Sequence, residues 1–259
     1  MTHPSRGRPV LVTRPAGRAD GLVALLEELG LTVRHQPLVR LVLEGGPELT
    51  AALDRLAAGA FTQLVVTSRT AVEAMLVRSP SVTVHPNTQV VAVGEGTASA
   101  LTTAGAPPDL VASGSGAALV REIPPADVSP GAAGAAGTAG PATVLFPASA
   151  AASPVVPDGL RAKGYRVEHV IAYRPEPVEP PAEFARALAA GDVGAIVLTS
   201  PMAARLAAEL GVHASIPVVT IGDPTSEAAR AAGLDVTQQA AAPTDADLAD
   251  AVRAVLARP

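Results

Sequence analysis

An internal repeat constrains the fold of this chain more than any other feature of its sequence. The stretch VVAVGEGTASALTTAG, which starts at Val90, aligns without a gap with VVTIGDPTSEAARAAG, which starts at Val218, and seven of the sixteen positions are identical. Each copy has an apolar run, then a turn with glycine, then an alanine-rich stretch, a pattern typical of a strand followed by a helix.

Two further pairs follow the same logic. LVVTSRTAVEAM, from Leu64, matches AIVLTSPMAARLA, from Ala195, since both have an apolar run, Thr-Ser and an alanine-rich stretch. VLVTRP, RADGLVALLEELG and LTVRHQPLVRL are matched by VLFPAS, PDGLRAKG and YRVEHVIAYRP, and Gly30, Val33 and His35 recur at a constant offset of 134 residues. Because the three units recur in one order, the sequence predicts an internal duplication.

The units alternate continuous apolar strands with helices, and this pattern favours an α/β fold with parallel sheets covered on both faces. We predict that LTVRHQPLVRL forms one strand and that Tyr173 ends a later strand. The Gly/Ala-rich residues 129–142 are expected to form a flexible loop. The proline-rich YRPEPVEPPAE is expected to be an extended connector between domains, with HQPLVRLVLEGG, which starts at His35, as its counterpart in the first half.

Composition excludes several classes of function. The chain has 259 residues, 2% aromatic residues and a net charge of −5. Because it has no cysteine, disulfides, thiolate metal sites and a cysteine nucleophile are excluded. The acidic balance and scarce aromatics do not favour nucleic-acid binding. No apolar run is long enough for a signal peptide or a membrane span, so we expect a cytoplasmic protein.

Candidate chemistry lies in the turns between strands and helices, because ligands of open α/β sheets bind at the carboxyl ends of the strands. These turns are rich in Ser, Thr and Gly, and helix N-termini bind anions well. The same Ser and Thr residues can be ordinary helix caps. GEGTAS lacks the third glycine of a dinucleotide fingerprint. Of the two tyrosines, Tyr165 is expected to pack in the core, whereas Tyr173 could either face a ligand and donate a proton or pack at a hinge.

The ordered segments VLVTRPAGRADGLVALLEELG, VTSRTAVEAM, VVAVGEGTASAL, GLRAKGYRVEHVIAYR, LTSPMAA, VVTIGDPTSEAARAAGL and APTDADLADAV resemble the uroporphyrinogen-III synthase family over nearly the whole chain. The resemblance implies two Rossmann-like or flavodoxin-like domains joined by a two-stranded connector. One domain would comprise residues 1–38 and 175–259, and the other residues 39–174.

The resemblance also implies a reaction. The family closes hydroxymethylbilane, a linear tetrapyrrole with eight carboxylates, into a ring, with loss of water and inversion of the terminal pyrrole. It needs no metal or organic cofactor. We expect a monomer whose partner is this small-molecule substrate, with no nucleic acid and no membrane.

Site residues carry over one by one. Tyr173 matches the candidate acid of the family. The substrate-binding candidates are Arg14, Thr67, Ser68, Arg69, Thr97, Arg174, Thr199, Ser200 and Thr225. The sequence departs from the family in IGDPTSEA, where Asp223 and Pro224 replace Pro and Thr of the family's IGPTTA. Two alternatives stay open: a two-domain binding protein for a small anionic ligand, and a paralogue with the fold but without activity.

Overall fold

A computed structural model describes residues 7–77, 79–126 and 142–257, and it has eleven strands and ten helices in these ranges. The prediction of an α/β fold with parallel sheets is confirmed. The chain divides into two compact units, one comprising Met1–Arg40 with Glu176–Pro259 and the other Leu41–Pro175. The predicted loop 129–142 lies outside the described residues, apart from Ala142.

The first unit is built on a five-stranded sheet in the order β11-β10-β9-β1-β2, and every neighbouring pair is parallel. Its elements are β1 (Val10–Val12), α1 (Asp20–Glu28), β2 (Val33–His35), α7 (Ala182–Ala190), β9 (Ala195–Leu198), α8 (Pro201–Glu209), β10 (Val218–Thr220), α9 (Asp223–Ala231), β11 (Val236–Gln239) and α10 (Asp245–Leu256).

The second unit is built on a six-stranded sheet in the order β3-β8-β7-β4-β5-β6. Its elements are β3 (Val39–Leu43), α2 (Pro47–Ala57), β4 (Gln63–Val66), α3 (Arg69–Met75), β5 (Gln89–Val93), α4 (Glu95–Thr103), β6 (Leu110–Ala112), α5 (Gly116–Glu122), β7 (Thr143–Ser149), α6 (Val155–Ala162) and β8 (Arg166–Pro177). The sheet is parallel from β8 to β6.

Each sheet separates two cores, because successive side chains of a strand point to opposite faces. In β1, Val10 and Val12 pack with α1 and α10, whereas Leu11 packs with α7, α8 and α9. In β4, Leu64 packs on the side of α2, α3 and α4, and Val65 packs on the side of α5 and α6. β1 and β4 are short and fully buried between two helical layers, which explains why their sequences are almost continuously apolar.

The prediction of one strand over LTVRHQPLVRL is wrong. The structure has two strands there, β2 and β3, which belong to different sheets. Pro37 lies between them, and a proline has no backbone N–H to give to a sheet. The break therefore lets the chain leave the first sheet and enter the second.

Two segments carry the chain between the units, and they pair with each other. Val178 N–H donates to the carbonyl of Leu38 at 2.8 Å, and Glu44 N–H donates to the carbonyl of Ala172 at 2.7 Å. Because the later residue of one segment pairs with the earlier residue of the other, β3 and β8 run antiparallel. The proline-rich connector is thus partly strand, since β8 extends to Pro177.

Within the ranges that the structure describes, no helix is both long and apolar enough to cross a bilayer.

Candidate functional site

Thr67 and Ser68 follow β4, where the chain leaves the sheet to form α3. Ser68 Oγ accepts a hydrogen bond from Ala71 N–H at 3.2 Å, so it caps α3 as an ordinary N-cap serine does. The cap uses an oxygen lone pair, so the hydroxyl hydrogen remains free to donate. The Thr67 hydroxyl makes no hydrogen bond to another described residue. Both hydroxyls can therefore donate to an anion.

Thr97 lies in the first turn of α4. Gly94, with φ of +71°, makes the turn from β5 into this helix, a conformation that favours glycine. The Thr97 side chain is 5% exposed, and its hydroxyl bonds to no other described residue. Among the described residues the only buried polar side-chain atom without a partner is Gln63 Oε1. The Thr97 hydroxyl therefore reaches the surface at the helix N-terminus.

Arg69 brings a positive charge to the same edge. A Cβ placed on Gly96 would lie 3.6 Å from Arg69 Cδ and 3.7 Å from its Nε, so the arginine side chain lies over the first turn of α4. It is exposed and forms no ion pair with another described residue. Because β4 and β5 are neighbours, the structure brings Thr67, Ser68, Arg69 and Thr97 to one edge of the second unit's sheet.

The first unit repeats this arrangement of hydroxyls at helix starts, but without the arginine. Ser200 Oγ caps α8 by accepting from Ala203 N–H at 3.2 Å, and Thr199 precedes it. Thr225 lies in the first turn of α9, is 2% exposed, and its hydroxyl has no hydrogen-bond partner among the described residues. Pro201 stands at the position that Arg69 occupies in the second unit.

A line of hydrogen bonds, which sequence analysis missed, holds the start of α9. Gln239 Nε2 donates to Asp223 Oδ1 at 2.9 Å, and Ser226 Oγ donates to Gln239 Oε1 at 2.6 Å. Thr220 Oγ1 lies 2.6 Å from Ser226 Oγ and must donate, because Ser226 gives its one hydrogen to Gln239. We call these four residues the Asp223 relay. Asp223 stood out in the sequence, but the other three residues come from three elements: Thr220 from β10, Ser226 from α9 and Gln239 from β11.

Two of the three candidate arginines are already paired. Arg14 Nη1 donates to Asp245 Oδ1 at 2.6 Å, and the Arg14 side chain is only 13% exposed. Arg174 Nε donates to Glu44 Oε1 at 2.6 Å. The structure therefore places both arginines in ion pairs rather than free at an edge.

Tyr173 lies inside β8, so the prediction that it ends the strand is wrong. Ala148 pairs with Ile171 and Ser149 pairs with Tyr173, which leaves Ala172 as an extra residue and makes a β-bulge directly before the tyrosine. Tyr173 is half-buried against the core beside α2, α3 and α4. Its hydroxyl bonds to no other described residue. A bulge re-aims the next side chain, and here that side chain is an unpartnered phenol.

Tyr165 is buried just before β8, as predicted, and its hydroxyl donates to the carbonyl of Pro124 at 3.0 Å. The two tyrosines therefore differ in the one property that matters for proton transfer, which is whether the hydroxyl is already used.

Comparisons with known proteins give one family-model match and similar folds among solved structures. The family model described as uroporphyrinogen-III synthase HemD matches residues 20–250. The chain is similar to a mutant uroporphyrinogen III synthase from the extremely thermophilic bacterium Thermus thermophilus, with 20% identity, a TM-score of 0.61, and coverage of 96% of this chain and 98% of that one. It is also similar to uroporphyrinogen-III synthetase from Helicobacter pylori, with 14% identity, a TM-score of 0.60, and coverage of 96% and 99%. No curated protein sequence matches the chain.

Proposed function

This chain belongs to the uroporphyrinogen-III synthase family, whose function is the cyclisation step of tetrapyrrole biosynthesis, and we propose that it performs this step with residues at the carboxyl edges of its two sheets. The substrate is hydroxymethylbilane. The reaction removes the terminal hydroxyl as water, inverts the last pyrrole and closes the ring to uroporphyrinogen III.

The observation that carries the proposal is the repeated edge of hydroxyls and helix N-termini. Thr67, Ser68 and Thr97 mark it in the second unit, and their counterparts Thr199, Ser200 and Thr225 mark it in the first. Helix N-termini and donor hydroxyls suit carboxylates, of which the substrate has eight. We propose that these six residues bind acetate and propionate groups.

The net charge of −5 does not attract an octa-anionic substrate, so binding requires local positive charge, and Arg69 is the proposed source of it. Since Arg69 has no ion-pair partner among the described residues and lies over Gly96, it supplies local positive charge at the edge that needs it. Arg14 and Arg174 bind substrate carboxylates in this proposal only by exchanging Asp245 and Glu44, so we expect smaller contributions from them.

Tyr173 is the proposed acid. Its free phenol donates a proton to the departing hydroxyl, so that the C–O bond breaks and the oxygen leaves with its electron pair as water. The ring then closes on the cationic terminal pyrrole. Because the unguided reaction gives the uninverted isomer, the remaining work of the protein is to hold the chain ends in the geometry for inversion.

We expect the protein to be a cytoplasmic monomer that binds this small molecule and binds neither nucleic acid nor membrane. We propose that residues 1–38 with 175–259, and residues 39–174, are the two domains that present these edges.

A coupled assay tests the activity. A deaminase makes hydroxymethylbilane from porphobilinogen in the presence of this protein, and the products are oxidised and separated into type I and type III isomers. We expect mostly type III. Only type I from a folded sample would contradict the proposal, and would leave either a binding protein for a small anionic ligand or an inactive paralogue.

Tyr173→Phe tests the acid, and the second tyrosine provides the control. We expect Tyr173→Phe to lower kcat by about a hundredfold, the usual contribution of a general acid, with an unchanged melting temperature. Tyr165→Phe, which loses the bond to Pro124, should instead lower the melting temperature and keep kcat. A kcat of Tyr173→Phe equal to that of Tyr165→Phe and of the wild type would remove Tyr173 from the mechanism.

A further inference from the structure

We propose that Asp223 contacts the substrate and accepts a hydrogen bond from a pyrrole N–H, so that its carboxylate stabilises the cationic terminal pyrrole formed when the hydroxyl leaves. This inference rests on the function proposed above and gives the two sheet edges different tasks. The edge with Arg69 binds carboxylates, and the edge with Asp223 also binds the N–H face of the reacting pyrrole.

The first support is the way in which the carboxylate is held. Asp223 is exposed in the first turn of α9, and one oxygen, Oδ1, is fixed by Gln239 Nε2 at 2.9 Å. Gln239 is fixed in turn by Ser226, and Ser226 by Thr220, both of which are fully buried. Oδ2 bonds to no other described residue. A carboxylate oriented through a buried relay, with one oxygen free, is a preorganised acceptor.

The second support is the comparison with the other unit, which does without a relay. The repeat aligns Thr220 with Ala92. The strand pairing agrees, because Thr220 pairs with Gln239 of β11 and Ala92 pairs with Val111 of β6, the corresponding neighbour. Ser226 corresponds to Ala98. Apolar packing is therefore enough to seat a helix at this place in the fold. The fold therefore does not require a polar relay to position α9, and the exposed end of the relay in the first unit is Asp223.

The third support is Thr225, two residues further along the same turn. It is 2% exposed, yet its hydroxyl lacks a partner among the described residues and reaches the surface. A buried side chain that presents one free hydroxyl beside a held carboxylate marks a surface built for a ligand with both donor and acceptor groups. The substrate has both, because its carboxylates accept hydrogen bonds and its pyrrole N–H groups donate them.

The chemistry explains why a carboxylate helps here, although the substrate is an octa-anion. As the C–O bond of the hydroxymethyl group breaks, the oxygen takes the bonding pair and a proton from the acid, and leaves as water. The positive charge that remains is shared with the terminal pyrrole nitrogen, whose N–H becomes a stronger donor. A fixed carboxylate at that N–H stabilises the charged state more than the neutral substrate, so it accelerates the step. Ring closure later releases a proton and removes the charge.

Asp223→Asn tests the inference, because it keeps the shape and removes the charge. In the coupled assay we expect kcat to fall by roughly tenfold to a hundredfold, the effect of losing one preorganised electrostatic contact. KM should change by less than about threefold, and the fraction of type I product should rise. Asp223→Glu should recover part of kcat. Glu227→Gln removes an exposed carboxylate one turn along α9 and is expected to match the wild type.

Each outcome decides the matter. An unchanged or higher kcat for Asp223→Asn would overturn the inference, and so would a rise in KM alone, which would mean simple binding. An equal fall for Glu227→Gln would reduce the effect to general charge. If the wild type makes no type III isomer, the proposed function fails and this inference fails with it. If the wild type makes type III and Asp223→Asn does so equally well, only the inference fails. Melting temperatures of all variants identify any that do not fold.

Discussion

His169 is the residue whose environment most clearly couples stability to pH. Its ring lies 5.4 Å from the ring of Phe146, and burial lowers the pKa of His169 below the ordinary 6.5, with nearby Arg161 lowering it further against an opposing hydrogen bond at Ser149. The unfolded chain therefore takes up the proton before the folded chain does. The contribution of His169 to stability should be constant above about pH 6.5 and fall as the pH drops towards the lowered pKa.

His169→Gln checks this by urea unfolding at several pH values. We expect the wild type to lose stability as the pH falls below about 6.5 and the variant to lose less over the same range. The exposed His213, whose Nδ1 accepts from Ser215 N–H, provides the matched control, and His213→Gln measures what the loss of an exposed histidine does to the same unfolding curves. A variant His169→Gln with the full wild-type slope would contradict the assignment.

At the residue scale the sequence predicted which side chains lie at the carboxyl edges of the sheets, but not which of them are already bound in ion pairs. Thr97 and Thr225 were found because their turns resemble motifs of the family, and the repeat aligns the two residues with each other. Arg14 looked as free as Arg69, yet its partner Asp245 lies 231 residues away, and the partner of Arg174 lies 130 residues away. Ion pairs over such separations depend on the tertiary fold, and no local pattern encodes them.

At the scale of elements, serine caps test whether one residue both stabilises a helix and binds substrate. Ser68→Ala removes the cap of α3, and Ser115→Ala removes the equivalent cap of α5, where Ser115 Oγ accepts from Ala118 N–H at 3.1 Å. Each change should cost about 1 kcal/mol of stability, the usual value for a lost cap. Only Ser68→Ala should also raise KM in the coupled assay. Equal KM values would leave Ser68 as a cap alone.

The elements also show where sequence patterns suffice. Strand, turn and helix units were predictable because their apolar periodicity and glycine turns are local, and the matched segments fold into the same pairs, β4–α3 with β9–α8 and β5–α4 with β10–α9. The break at Pro37 and the bulge before Tyr173 were missed. Both depend on which strand becomes the neighbour, and this is decided only when the sheet assembles.

At the scale of the whole molecule, the paired crossings suggest that the two units can be separated. The carbonyl of Leu38 binds Val178 N–H, so the ends left by removing residues 39–177 are already adjacent. Residues 39–177 contain every strand of the six-stranded sheet and the helices that cover it. We expect this piece to fold alone, and the remainder to fold when a short glycine-rich turn joins Leu38 to Val178.

Circular dichroism and urea unfolding of the two pieces check this expectation. Each should show helical signal and one cooperative transition. A piece of residues 1–177 serves as the control, since it has β1 but lacks β9 and should add no cooperative transition of its own. The assignment of two domains stays a prediction until this is done, and loss of cooperative unfolding in the 39–177 piece would contradict it.

The place of β1 in its sheet has a consequence for synthesis on the ribosome. β1 lies between β2 and β9, and Val10 pairs with Ala195, about 185 residues later. At a translation rate of about 5–20 residues per second, β1 waits roughly 10 to 40 s for this neighbour. The second unit is complete in the meantime. β1 therefore completes its pairing only after the second unit has been made, and during that interval its backbone groups on the β9 side have no partner in the sheet.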